Sequence, residues 1–145
     1  MNEDIKNTET LARVLFSPSF FYDGRISPTA FNLVVIKGIP ETGISVLRTD
    51  QKQFKKNLDF VATHPRLEED SYCGYTKLNA EAIRSIDLGS EKNTEINIIK
   101  TGRMKSHAEI TLEIEGTKVK AGDDSLEFKT FRKELAKLSK NKIFK

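Results

Sequence analysis

The groups in this chain with chemistry to offer are two imidazoles and one short basic loop. Gly102-Arg103-Met104-Lys105-Ser106-His107 gathers a guanidinium, an ammonium, a hydroxyl and an imidazole just before a strand-like run. Such a set at the mouth of a sheet suits an anion, with Arg103 and Lys105 as binding groups and His107 as acid or base. The ordinary alternative is a solvated hairpin tip. His107 also falls on the alternation Glu109, Thr111, Glu113, so it shares a sheet face with two carboxylates and a hydroxyl. His-x-Glu on a strand can start a metal site, but the sequence offers no third ligand, so no metal and no cofactor are expected. The second imidazole, His64, is followed by Pro65-Arg66, and His107 by Ala108-Glu109. The His-x-Ser/Thr pair of two-histidine phosphoesterases is therefore absent.

Other chemistries lack their parts. Cys73 sits in Tyr72-Cys73-Gly74-Tyr75 with no histidine partner nearby and reads as a small hydrophobe. Ser45, in Gly43-Ile44-Ser45-Val46-Leu47, lacks the second glycine of a nucleophile elbow. The glycines form neither a Walker loop nor a dinucleotide fingerprint. A single cysteine excludes an internal disulfide and points to a reducing, cytoplasmic setting. The acidic, polar start is unlike a signal peptide, and the longest apolar run, Leu33-Val34-Val35-Ile36, is far short of the roughly 20 residues that span a bilayer. No membrane contact is expected.

The net charge of +3 is unevenly placed: residues 129–145 hold seven Lys or Arg against one Glu. Lys133, Lys137 and Lys140 are the residues that would meet nucleic acid or an acidic partner. Lysines at the end of a terminal helix equally suit its dipole.

The elements that must position these groups follow from pattern. Residues 1–8 are expected to be a disordered start, and residues 9–145 one domain. Residues 10–16 fit a short helix or a strand. Asp23-Gly24 and Ser27-Pro28 mark turns after the aromatic run Phe20-Phe21-Tyr22, which is expected to cap the core. Residues 30–36 and 43–48 are rich in β-branched residues and predict two adjacent antiparallel strands. Asp50 is placed to cap a helix reaching Ala62, with Phe54, Leu58 and Val61 on one face before Pro65. Residues 72–77 fit a strand. Asn79 can cap a helical turn, although residues 79–88 also permit a strand.

The clearest signal is the hairpin: Ile96 and Ile98, then Ile110, Leu112 and Ile114, alternate with polar neighbours around a loop at residues 101–106. A short strand at residues 117–120 follows. Ser125 caps a last helix whose Phe128, Phe131, Leu135 and Leu138 make one apolar stripe. With no βαβ alternation, the expected fold is α+β, a mainly antiparallel sheet with helices packed on one face.

The run Gly24-Arg25-Ile26-Ser27-Pro28-Thr29-Ala30-Phe31, then Ile44-Ser45-Val46 and His107-Ala108, resembles a diffuse set of small uncharacterised bacterial proteins. That resemblance implies no activity; it groups Phe31, Ser45 and His107 in one structural pattern.

Three readings follow. The first is a non-enzymatic binding or accessory domain for a macromolecular partner, such as a protein. The second is an enzyme on a phosphate-bearing small molecule, using His107 with Arg103 and Lys105. The third is nucleic-acid binding through the basic last helix. Oligomeric state is not legible.

Overall fold

The computed structural model describes residues 5–65, 68–102 and 105–145. In chain order its elements are β1 (Thr10–Ser17), β2 (Phe21–Tyr22), β3 (Arg25–Ile26), a 3-10 helix (Pro28–Phe31), β4 (Val35–Ile36), β5 (Ile39–Pro40), β6 (Ile44–Arg48) and α1 (Phe54–Ala62). β7 (Ser71–Asn79), α2 (Ala80–Arg84), β8 (Thr94–Lys100), β9 (His107–Ile114), β10 (Thr117–Lys118) and α3 (Leu126–Ser139) complete it. The class is α+β around an antiparallel sheet, as the pattern predicts.

β9 is paired along one edge with β8, from Thr94↔Ile114 to Lys100↔Ala108. Its other edge is shared end to end by β6 (Leu47↔His107 to Ile44↔Ile110) and β10 (Lys118↔Glu113). β6 then pairs β1, and β1 pairs β7, so the strands run β8, β9, β6, β1, β7 across the sheet. β1 lies inside, with Leu11 to Phe16 all buried. A strand covered on both faces loses its alternation, which is why residues 10–16 read equally as helix.

Register partners share a face, so Ala12, Leu47 and His107 point one way, and Val14 and Tyr75 with them. α1 lies over this face, with the Phe54 ring edge-on to Tyr75 at 5.5 Å. Leu11, Leu15, Leu78, Ile110 and Leu112, each at most 1% exposed, form the opposite face. There α2 meets β8 and α3. Phe128, Phe131 and Leu135 of α3 are buried to the same degree, each contributing about 1.5–3 kcal/mol by leaving water. The expected helical layer on one face is thus present as α2 and α3, and the short α1 is added on the other.

Ser125 and Asn79 cap as their types predict, accepting from the Phe128 and Ala82 amides at 3.2 and 3.0 Å. This makes residues 80–84 helix and resolves the ambiguous 79–88 stretch. Asp50 does not cap α1: the helix begins after Gln53, and the Asp50 carboxylate takes the Gln51 side-chain amide instead. Residues 30–36 are not a strand. Ser27 caps a 3-10 turn begun by Pro28, and the apolar run is split before β4. β4 pairs only with β5 through a Lys37-Gly38 turn at φ +51° and +79°, and β6 finds its partners in β1 and β9.

Two features invisible to pattern reading fix the frame. Glu9 and Arg48 form a buried two-point ion pair at 2.8 and 2.9 Å. Gly74, at φ +139°, lets the chain's last residues lie on the edge of β7, where Tyr75 and Phe144 exchange two backbone hydrogen bonds of 2.8 Å. A Cβ at Gly74 would sit 2.5 Å from the Phe144 carbonyl oxygen. Residues 5–9 run beside α2, with Ile5 buried and the Asn7 carbonyl accepting from the Asn79 amide.

Candidate functional site

A cavity of about 330 Å³ opens between α1 and the sheet. Its floor is Ala12 and Val14 of β1 with Leu47 of β6, and Phe60 and Val61 wall it from α1. Phe16 and Phe20 close one side, and Ile36 stands at the rim. The gap is fixed from the other end of α1. Asn57 accepts the Ser106 hydroxyl at 2.5 Å and its backbone amide at 3.3 Å, and so ties the helix to the start of β9.

Five polar residues interrupt the apolar wall: Arg13, Glu41, Ser45, His64 and His107. The Arg13 guanidinium donates to the Ala30 and Ser45 carbonyls at 2.7 and 2.8 Å and lies over the Phe20 ring. Glu41 accepts the Val34 amide at 2.9 Å. Both are held by the frame, so they shape the cavity rather than reach into it freely. His64 stacks on Phe60, ring centroids 4.4 Å apart, and its Nδ1 lies 2.8 Å from the Phe60 carbonyl at the end of α1.

His107 is buried, not on a solvated sheet face, and its Nδ1 meets the Thr101 hydroxyl across the hairpin end. The two imidazoles, distant in sequence, line one cavity. Lys105 is exposed and is not part of the lining, and Arg103 lies outside the described residues. Of the residues grouped by the resemblance, Ser45 and His107 line the cavity, and Phe31 is fully buried in the 3-10 turn. Lys133, Lys137 and Lys140 are all exposed along and just beyond the last turns of α3, and Lys137 is paired with Glu134 at 3.0 Å. Cys73 is half-buried, and burial pushes its thiol up, away from thiolate.

The apolar lining continues past the mouth onto exposed surface at Ile39. Ile36 and its cross-strand partner Ile39 are 44% and 71% exposed, and Phe60 is 54% exposed. None of these stood out in sequence as a site. Two signals were there: apolar pairs on both sides of Lys37-Gly38, and Phe60 placed off the Phe54, Leu58, Val61 stripe.

Among the described residues no group of three or more His, Cys, Asp or Glu is placed to hold a metal ion, and no helix is long and apolar enough to cross a membrane. No protein-family model matches the chain, and no curated protein or solved structure is significantly similar to it, so the capability of the site rests on its geometry.

Proposed function

We propose that this is a non-enzymatic cytoplasmic binding domain that takes an apolar group of a protein partner into the cavity between α1 and the sheet. The observation that carries this reading is the exposed rim of Ile36, Ile39 and Phe60 around a largely apolar cavity. A small molecule seated in the cavity would touch Ile36 and Phe60 but make no use of the exposed Ile39 beyond the lining. A partner that inserts one anchor and lays flanking residues on the rim uses both. The lone thiol, held protonated by burial, suits a reducing compartment.

A photo-crosslinking residue in place of Ile39 tests this in extracts of the producing cells, with Ser45→Phe filling the cavity as the contrast. The expected result is one protein adduct of defined mass that falls at least about tenfold with Ser45→Phe, the loss of one buried anchor. Equal adducts with and without the substitution, or no adduct, overturn the reading.

The pair of imidazoles in one cavity favours a second reading, acid–base chemistry on a phosphate-bearing molecule, with His107 as the acting group and Arg103 and Lys105 as anion holders. It requires a phosphate compound whose melting-temperature shift disappears with His107→Gln. Nucleic-acid binding through Lys133, Lys137 and Lys140 would instead weaken steeply with salt as counterions are released.

A further inference from the structure

The two edges of the main sheet are treated differently. At β7 the outermost strand is covered by the chain's own residues at Phe144. At β8 nothing similar occurs: among the described residues no backbone hydrogen bond is made to its outer edge. The loop bonds at the hairpin ends set the alternation. Thr101 N–H donates to the His107 carbonyl, and Glu115 N–H to the Asn93 carbonyl. Odd-numbered residues of β8 therefore bond inward to β9. The N–H and C=O groups of Thr94, Ile96, Ile98 and Lys100 point outward.

Apart from the charges of Glu95 and Lys100, this edge carries none of the usual guards. It is seven residues long, has no proline and no bulge, and its Glu95 and Lys100 cancel. It is also complementary to itself. If a second β8 runs antiparallel on a two-fold axis through Asn97, Thr94 faces Lys100 of the partner subunit and Ile96 faces Ile98 of the partner subunit. All four outward residues are then in hydrogen-bonded pairs, which satisfies every outward donor and acceptor of both strands. The same register keeps like faces together: Ile96 and Ile98 extend the covered face, and Glu95, Asn97 and Ile99 lie on the open one. A one-residue slip would set inward-bonding residues against outward ones and lose the ladder.

We propose that β8 pairs with β8 of a second copy of this chain, joining two sheets into one continuous antiparallel sheet centred on Asn97. This is independent of what the cavity binds. The full chain should sediment with twice the 16.4 kDa mass at high concentration and dissociate on dilution.

Asn97→Cys, made with Cys73→Ser, tests the register. The two residues at position 97 face each other as a non-hydrogen-bonded pair, the closer kind, so mild oxidation should give a covalent dimer. Glu95→Cys in the same background should not crosslink, because each residue 95 faces Ile99 of the partner subunit. Asn97→Lys, which sets like charges opposite one another, should shift the mass to that of the monomer with the circular dichroism spectrum unchanged. A wild-type chain that stays monomeric at millimolar concentration overturns the proposal and leaves the edge to a strand of another protein. A dimer that survives Asn97→Lys, or that crosslinks as well through position 95, overturns it in favour of another surface or register.

Discussion

Replacing Glu9 by Gln should destabilise the fold strongly, because it removes the negatively charged member of a buried two-point ion pair. The Glu9 and Arg48 side chains are only 5% and 4% exposed. The carboxylate accepts Arg48 Nε and Nη2 at 2.8 and 2.9 Å, and the Lys6 amide at 3.0 Å. Glutamine keeps the shape but turns an acceptor into an NH₂ group facing these donors. Breaking a buried pair in this way costs about 3–5 kcal/mol. With a urea m-value of roughly 2 kcal/mol/M, the midpoint should fall by about 1.5–2.5 M.

The effect has a pH signature. Burial raises the Glu9 pKa, but the Arg48 hydrogen bonds, the Lys6 amide and the positive charges of both residues outweigh it, and the net shift is downward from 4.5. A lowered folded pKa means the stabilisation is complete above the unfolded value and is lost as pH falls through the folded one. The gap between wild type and Glu9→Gln should therefore be full at neutral pH and close as pH falls below 4.5, where the wild type loses the Glu9 charge as well. Urea titrations monitored by circular dichroism across that range measure it. A midpoint change below about 0.5 M at pH 7, or a gap independent of pH, would refute the argument.

Two further changes test the frame. Gly74→Ala should push the last residues off β7, since the new Cβ meets the Phe144 carbonyl oxygen and φ +139° is strained for alanine. A loss of about 1–3 kcal/mol is expected, with hydrogen exchange at Tyr75 and Phe144 rising and that at β9 unchanged. Ser125→Ala should cost about 1 kcal/mol as a lost cap, while Asp50→Ala should stay within about 0.5 kcal/mol, which thermal melts can separate.

What the sequence conveyed was whatever is local. The α3 stripe with Ser125, the β8 and β9 alternation, and the Asn79 cap each need only neighbours within a turn or a hairpin, and each is where the pattern placed it. What failed was decided elsewhere in the chain. Ser27-Pro28 starts a 3-10 turn that consumes Ala30 and Phe31, so a β-branched run cannot become the strand its composition favours. Asp50 has the chemistry of a cap, but residues 50–53 first make a turn, with Phe54 N–H bonded to the Gln51 carbonyl, and α1 starts beyond its reach. β6 pairs with β1 residues 35 to 37 positions earlier, Leu11↔Arg48 and Ala12↔Leu47, and with β9 residues 60 to 66 positions later, Leu47↔His107 to Ile44↔Ile110, and no local signal selects such partners.

The cavity was illegible for a related reason: periodicity names the face a residue occupies, not the space between two faces. Its floor, Ala12, Val14 and Leu47 with Ser45 beside them, is made mostly of short side chains beneath the end of α1. At the start of that helix Phe54 fills the gap by packing on Tyr75, whereas near its end the aromatic residue is Phe60, which is turned outward and more than half exposed. There Val61, with the cavity-facing part of the Phe60 ring, walls the space over the floor. The opening thus follows from one helix carrying its large ring on the core side at one end and on the solvent side at the other. The misplaced ring is also what makes the rim apolar, so the cavity and its exposed border are a single consequence of where Phe60 stands.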